Sequence, residues 1–254
     1  MPVDDAPLRI CLSPKNSSFT TGIVLACIVF TFAGCAPSRQ APSYPVLQSH
    51  DSSQPVKPRP QPQKRTGPVV FLDAGHGGHD IGAAVKPSHL QEKNLNLEVV
   101  KRVERLLLGW KYTVVLSRRT DVFVPLKKRV AMAARNNATI FVSVHFNSVA
   151  SKKNRGARGA EAYYYNTPDS QRTADSKRLG AAILRCLCED LPTQYRGVKL
   201  GNLCVIRETT MPAVLVEPAF ITNSKDARLL SSAPYKQQIA LAIARGINDY
   251  FHPT

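Results

Sequence analysis

With 254 residues, 43% of them hydrophobic, the chain can bury one sizeable core, and its length calls for no second folded domain. A formal charge of +16 suits a polyanionic neighbour, whether nucleic acid, anionic lipid headgroups or an acidic wall polymer, or else serves solubility alone. Six cysteines are present, and Cys11, Cys27 and Cys35 fall in or at the end of an N-terminal leader. Cys186, Cys188 and Cys204 are left, so at most one internal disulfide is possible. Cys186 and Cys188 lie two apart on a predicted helix and point to different faces, and Cys186 shares its face with Leu179, Ile183 and Leu187 as a packed core residue would.

The leader, residues 1–34, has a polar start with Arg9 and Lys15 and an apolar run of 12 residues at 22–33. Crossing a bilayer takes about 20, so the run reads as a signal-peptide core. Phe32-Ala33-Gly34-Cys35 resembles a bacterial lipobox with Phe in place of the usual Leu. That resemblance implies a lipid on Cys35 and a protein of the periplasm or cell envelope, anchored to a membrane and facing outward. Export excludes most nucleic-acid roles and favours the wall or the membrane surface as the partner of the basic charge. Removing the leader takes away Asp4, Asp5, Arg9 and Lys15 and leaves the net charge unchanged. Residues 35–67, rich in Pro, Ser and Gln, cannot bury enough apolar surface to fold alone and read as a spacer.

Residues 68–254 alternate strand and helix patterns. Short apolar runs predict strands at 69–72, 112–116, 139–144, 160–165, 203–206 and 213–216, and helical spacing predicts helices at 93–108, 126–136, 174–189 and around Ile239, Ile243, Ile247 and Tyr250. The order implies a single α/β domain with a central twisted, mostly parallel sheet flanked by helices and a site at strand ends.

Four residues stand where such a fold places chemistry. His76 lies in the Gly- and His-rich turn after the first strand, and His145 directly follows the strand at 139–144. Parallel strands present their carboxyl ends along one edge, so the two histidines can converge there. Glu92, 16 residues beyond His76, begins the first helix, where it could instead answer the helix dipole. Glu217 follows four apolar strand residues and must sit at a sheet edge or be partnered. Two histidines and a carboxylate suit a hydrolytic zinc site with one Zn2+ per chain, and Glu217 would move the proton of the attacking water. Asp73, His79 and Asp80 lie near the same turn as rival ligands or as partners of a ligand's second nitrogen, with Asp73 expected in that second role.

Five ordered motifs, LDAGHGGHDIGA at 72–83, QEKNLNLEVV at 91–100, LSRRTD at 116–121, FVSVHFNS at 141–148 and PAVLVEPAFITN at 212–223, resemble the zinc N-acetylmuramoyl-L-alanine amidases of the cell-separation type. The resemblance implies zinc binding by His76, Glu92 and His145, catalysis by Glu217, and cleavage of the amide between N-acetylmuramic acid and L-alanine in peptidoglycan during wall remodelling and daughter-cell separation. Departures are Ala74, where proline is common, and Pro218-Ala219, where a small residue and glycine are usual. Family members regulated by partners carry a plugging helix between the second histidine and the catalytic glutamate. Most of the 71 residues of that interval here are already used by predicted elements, so none is expected, and divisome or activator proteins stay possible partners. The loop residues Lys152, Lys153, Arg155 and Arg158 are candidates to grip the acidic stem peptide. Two other readings stay open at this stage: a non-catalytic wall-binding lipoprotein, and a zinc peptidase that cuts within the stem peptide. A serine carboxypeptidase is disfavoured because no Ser is followed by Lys three positions later.

Overall fold

The computed structural model describes residues 67–85, 90–150 and 156–253. The leader, Cys35, the spacer up to residue 66, and Lys152, Lys153 and Arg155 lie outside the described residues. The elements run β1 (Val69–Ala74), β2 (Ala84–Val85), β3 (Leu90–Gln91), α1 (Glu92–Gly109), β4 (Thr113–Leu116), α2 (Leu126–Arg135), β5 (Ile140–Val144), β6 (Ala160–Tyr164), α3 (Ser170–Asp190), β7 (Tyr195–Leu200), α4 (Cys204–Arg207), β8 (Ala213–Glu217), α5 (Ser224–Leu230) and α6 (Ala233–Phe251).

Six strands form one sheet in the order β4-β1-β5-β8-β6-β7. Every pairing is parallel except β6 with β8, which makes the sheet mostly parallel as the alternating pattern implied. Strand periodicity divides the core in two. Val70, Leu72, Ile140, Val142, Val214 and Val216 pack with the buried sides of α1, α3 and α6, while Phe71, Phe141, Leu215 and Tyr163 pack with Ala133 of α2 and Val205 and Ile206 of α4. The central strands are therefore buried on both faces and read as continuous apolar runs. Cys186 is fully buried in the first of these layers, and Cys186, Cys188 and Cys204 are all free thiols.

The short elements β2, β3 and α5 carry no predicted counterpart, and two further elements, α4 and β7, also depart from expectation. The run at 203–206, predicted as a strand, is the one-turn helix α4, which turns Val205 and Ile206 into the second core layer. So short an apolar run carries no period of its own, and tertiary packing decides it. The strand β7, Tyr-Arg-Gly-Val-Lys-Leu, shows no apolar run because it is a half-exposed sheet edge, where charged residues and glycine are tolerated as they are not in the interior. Among the described residues no helix is long and apolar enough to cross a membrane.

The carboxyl ends of β1, β5 and β8, three adjacent parallel strands, open on one edge of the sheet. His76, His145 and Glu217 leave the backbone there.

Candidate metal centre

After β1 the chain reverses within a few residues. His76, Gly77 and Gly78 all have positive φ, at 59°, 125° and 60°, a run that glycine permits and that His76 must be held into. The turn closes through Gly77 N to Asp80 O at 2.8 Å. Arg129, fully buried on α2, donates from Nη2 to His76 O at 2.7 Å and from Nη1 to Ala74 O and to Asp73 Oδ1, both at 2.6 Å. Arg118 adds bonds to Ala74 O and Gly75 O. Two buried guanidinium groups thus fix the carbonyls of Ala74, Gly75 and His76.

His76 Nδ1 lies 2.8 Å from Asp80 Oδ1 and Nε2 lies 3.1 Å from Glu92 Oε1. With Asp80 accepting from Nδ1–H, the Nε2 lone pair is free to bind a metal. Burial alone would lower the His76 pKa, but Glu92 and Asp80 outweigh it and raise it above the ordinary value.

Glu92 opens α1 directly after the β2-β3 hairpin, which swings the helix start over the turn. Its Oε2 accepts from Ala83 N at 2.8 Å, and Oε1 lies 2.9 Å from His145 Nδ1. Burial pushes the Glu92 carboxyl up, yet its hydrogen bonds to His145 and His76 hold it far below the usual carboxylate range. His145 is placed by its own N–H, which donates to Val216 O at 3.0 Å, and its ring meets His76 edge-on with centroids 4.9 Å apart.

The donor atoms of His76, Glu92 and His145 all lie within 4.8 Å of one another, a group able to hold a metal ion. Ligands about 2.0–2.1 Å from a tetrahedral zinc sit roughly 3.3 Å apart, close to the 2.9 and 3.1 Å separations around Glu92 Oε1. The donor set and its spacing fit zinc.

Glu217 ends β8 at 6% exposure, and its Oε2 is buried without a hydrogen-bond partner among the described residues. Burial, then the charge of Glu92, then that of Glu161 push its carboxyl well above the ordinary range. An unpartnered buried carboxylate oxygen is costly, and one at the edge that carries three side chains able to hold a metal is suited to proton transfer.

Asp73 is not the partner of a histidine nitrogen. It is consumed by Arg129 and by Ser143, which donates to it at 2.8 Å, and its strand position points it into the layer beneath the turn. Asp80, and not Asp73, meets Nδ1 of His76. His79 packs against Phe123 at a 40° tilt with centroids 4.2 Å apart and is not a member of the three-residue donor group. Arg158 donates to Pro192 O. Sequence reasoning missed Arg129 and a network around Glu161, which is 2% exposed and bonded to Asn147, Tyr163, Arg196 and Lys199. The available signal was a carboxylate inside the strand Ala160-Glu-Ala-Tyr-Tyr, where burial demands partners.

The sequence profile of the N-acetylmuramoyl-L-alanine amidase family, Amidase_3, matches residues 70–249. The chain is 42% identical to the N-acetylmuramoyl-L-alanine amidase LytC of Bacillus subtilis over 73% of this chain and 36% of that protein. It is 31% identical to the amidase AmiA of Escherichia coli over 76% of this chain and 80% of that one. The solved structure of the amidase AmiC2 of Nostoc punctiforme superposes with a TM-score of 0.67 at 36% identity, covering 73% of this chain and 97% of that one. With the motifs, the sheet and the His-Glu-His group in agreement with that match, the chain belongs to the N-acetylmuramoyl-L-alanine amidase family.

Proposed function

We propose that residues 68–254 hydrolyse the amide between the lactyl group of N-acetylmuramic acid and L-alanine in peptidoglycan, with zinc held by His76, Glu92 and His145 and with Glu217 as the proton-transfer group. The observation that carries this reading is the convergence of three side chains able to hold a metal at the sheet edge where the buried Oε2 of Glu217 has no hydrogen-bond partner among the described residues. Bound zinc supplies a Lewis acid that polarises the amide carbonyl and makes water acidic near neutral pH. Asp80 fixes the His76 ring, and Arg129 fixes its carbonyl, so the ligands are set before substrate arrives. Glu217 takes the proton of the attacking water as oxygen bonds to the carbonyl carbon, and gives it to the L-alanine nitrogen as the C–N bond breaks.

In the envelope, residues 1–34 act as the export signal, Cys35 carries lipid, and residues 35–67 span from membrane to wall, so that the domain reaches peptidoglycan for remodelling and daughter-cell separation. The net charge of +16 supports contact with an acidic polymer. Between His145 and Glu217, α3 turns Leu179, Ile183 and Leu187 into the core and α4 turns in Val205 and Ile206. Those helices are spent on packing, which supports activity without an added activator.

The test is to measure zinc content and turnover of purified peptidoglycan by residues 66–254, with and without a chelator, beside Glu217→Gln. Chelator-sensitive turnover, with a variant that keeps its zinc and is inactive, is expected. A variant with undiminished turnover would remove Glu217 from the chemistry. Palmitate labelling that survives Cys35→Ala would remove the lipid anchor.

A further inference from the structure

Beside Glu217 the sheet carries a charged cluster that the reaction above leaves unused. Glu161 on β6 is the register partner of Glu217 on β8, so the two side chains leave the same face of the sheet as close neighbours. Glu161 divides its two oxygens. Oε1 accepts from Tyr163 Oη at 2.6 Å and from Asn147 Nδ2, while Oε2 accepts from Arg196 Nε at 2.9 Å and from Lys199 Nζ at 2.7 Å.

Two cations therefore meet one carboxylate, and the cluster holds an excess positive charge. The Arg196 guanidinium lies 4.9 Å from the centroid of Phe220, three residues beyond Glu217, and its Nη1 and Nη2 make no hydrogen bond to another described residue. Both cations sit on β7, the outer strand of the sheet, with side chains 33% and 39% exposed. A solvated surface cation is ordinarily free to sample many rotamers. Both are pinned from below by the buried Glu161 carboxylate, and Arg196 also from the side by the Phe220 ring, one strand beyond the β6 residue that is paired with Glu217. A guanidinium held on a ring and an ammonium beside it form a receptor for a carboxylate.

Resting on the amidase reading, we propose that Arg196 and Lys199, oriented by Glu161, form a subsite for a carboxylate of the stem peptide and so place the peptide side of the scissile amide on the β7 side of Glu217. Arg196 and Lys199 are specificity residues, and Glu161 is their positioning residue.

Three muramyl tripeptides test this on the zinc-loaded protein. The first has a free α-carboxylate on its second residue and an amidated C-terminus, the second has both groups amidated, and the third has only the C-terminal carboxylate free. Wild type is expected to show a KM on the order of tenfold lower for the first or the third than for the fully amidated substrate, and whichever it is identifies the carboxylate. In the double variant Arg196→Gln, Lys199→Gln the KM difference between the favoured carboxylate substrate and the fully amidated one disappears. Lys199→Gln alone, which leaves Arg196 to neutralise Glu161, loses part of the advantage and serves if the double variant does not fold. Equal KM for all three substrates in wild type, or an equal rise for all three in the variants, would overturn the subsite. If wild type cleaves none of them, the amidase reading fails, and calorimetric binding of the same three compounds to Glu217→Gln still decides the subsite: preference for one carboxylate upholds it, and equal affinity sinks it.

Discussion

A Cβ atom built on Gly75 would lie 2.2 Å from Nε2 of His145, so the turn after β1 and the histidine after β5 are in contact because residue 75 has no side chain. The approach turns Nδ1 of His145 toward Glu92. Gly75→Ala is expected to leave the fold standing and to push the imidazole out of the ligand set. Circular dichroism like that of wild type, with zinc content reduced to a small fraction, is the expected result. Full zinc occupancy in a folded variant would show that the contact does not place the ring.

Asp80 holds the His76 ring through Nδ1. Removing its charge with Asp80→Asn is expected to weaken zinc affinity by about 10–100-fold while leaving the three ligands in place. Competition with a chromophoric chelator reads this directly.

Arg129 and Asp73 pair at 2.6 Å with side chains 2% and 1% exposed. Arg129→Ala strands a buried carboxylate and is expected to cost about 3–5 kcal/mol in denaturant unfolding. Burial pushes the Asp73 carboxyl up, but Arg129 with Ser117 and Ser143 holds it below its ordinary value. A carboxyl with a depressed folded pKa stabilises the protein above its unfolded pKa, and the contribution is lost as pH falls through the folded value. The difference in Tm between wild type and Asp73→Asn should therefore shrink as pH falls from about 6 to about 3. A constant difference would mean that the pair does not titrate with folding.

The elements buried on both faces were legible in the sequence, because β1, β5 and β8 each open with three or four consecutive apolar residues. The residues at their carboxyl ends were legible for the same reason: a rigid strand followed by His76, His145 or Glu217 leaves little choice of edge. What could not be read were features made by distant chain segments meeting. Arg129 sits on a basic, amphipathic helix, and nothing local distinguishes it from Lys127 or Lys128, which are exposed. Asp73 was assigned to a histidine because sequence proximity was the only guide, whereas the pleat turns it toward α2. Strand β7 and the cluster it carries were invisible because edge strands need no apolar period. Helix α4 was read as a strand because four residues cannot show whether their period is 2 or 3.6.

The most direct test of the central claim is to digest purified peptidoglycan with residues 66–254 and to determine by mass spectrometry which bond has broken. The account requires intact stem peptides with a free L-alanine amine, and glycan whose muramic acid carries a free lactyl carboxylate, all absent with Glu217→Gln. Shortened stems still attached to glycan, or no release by a folded and zinc-loaded domain, would contradict it.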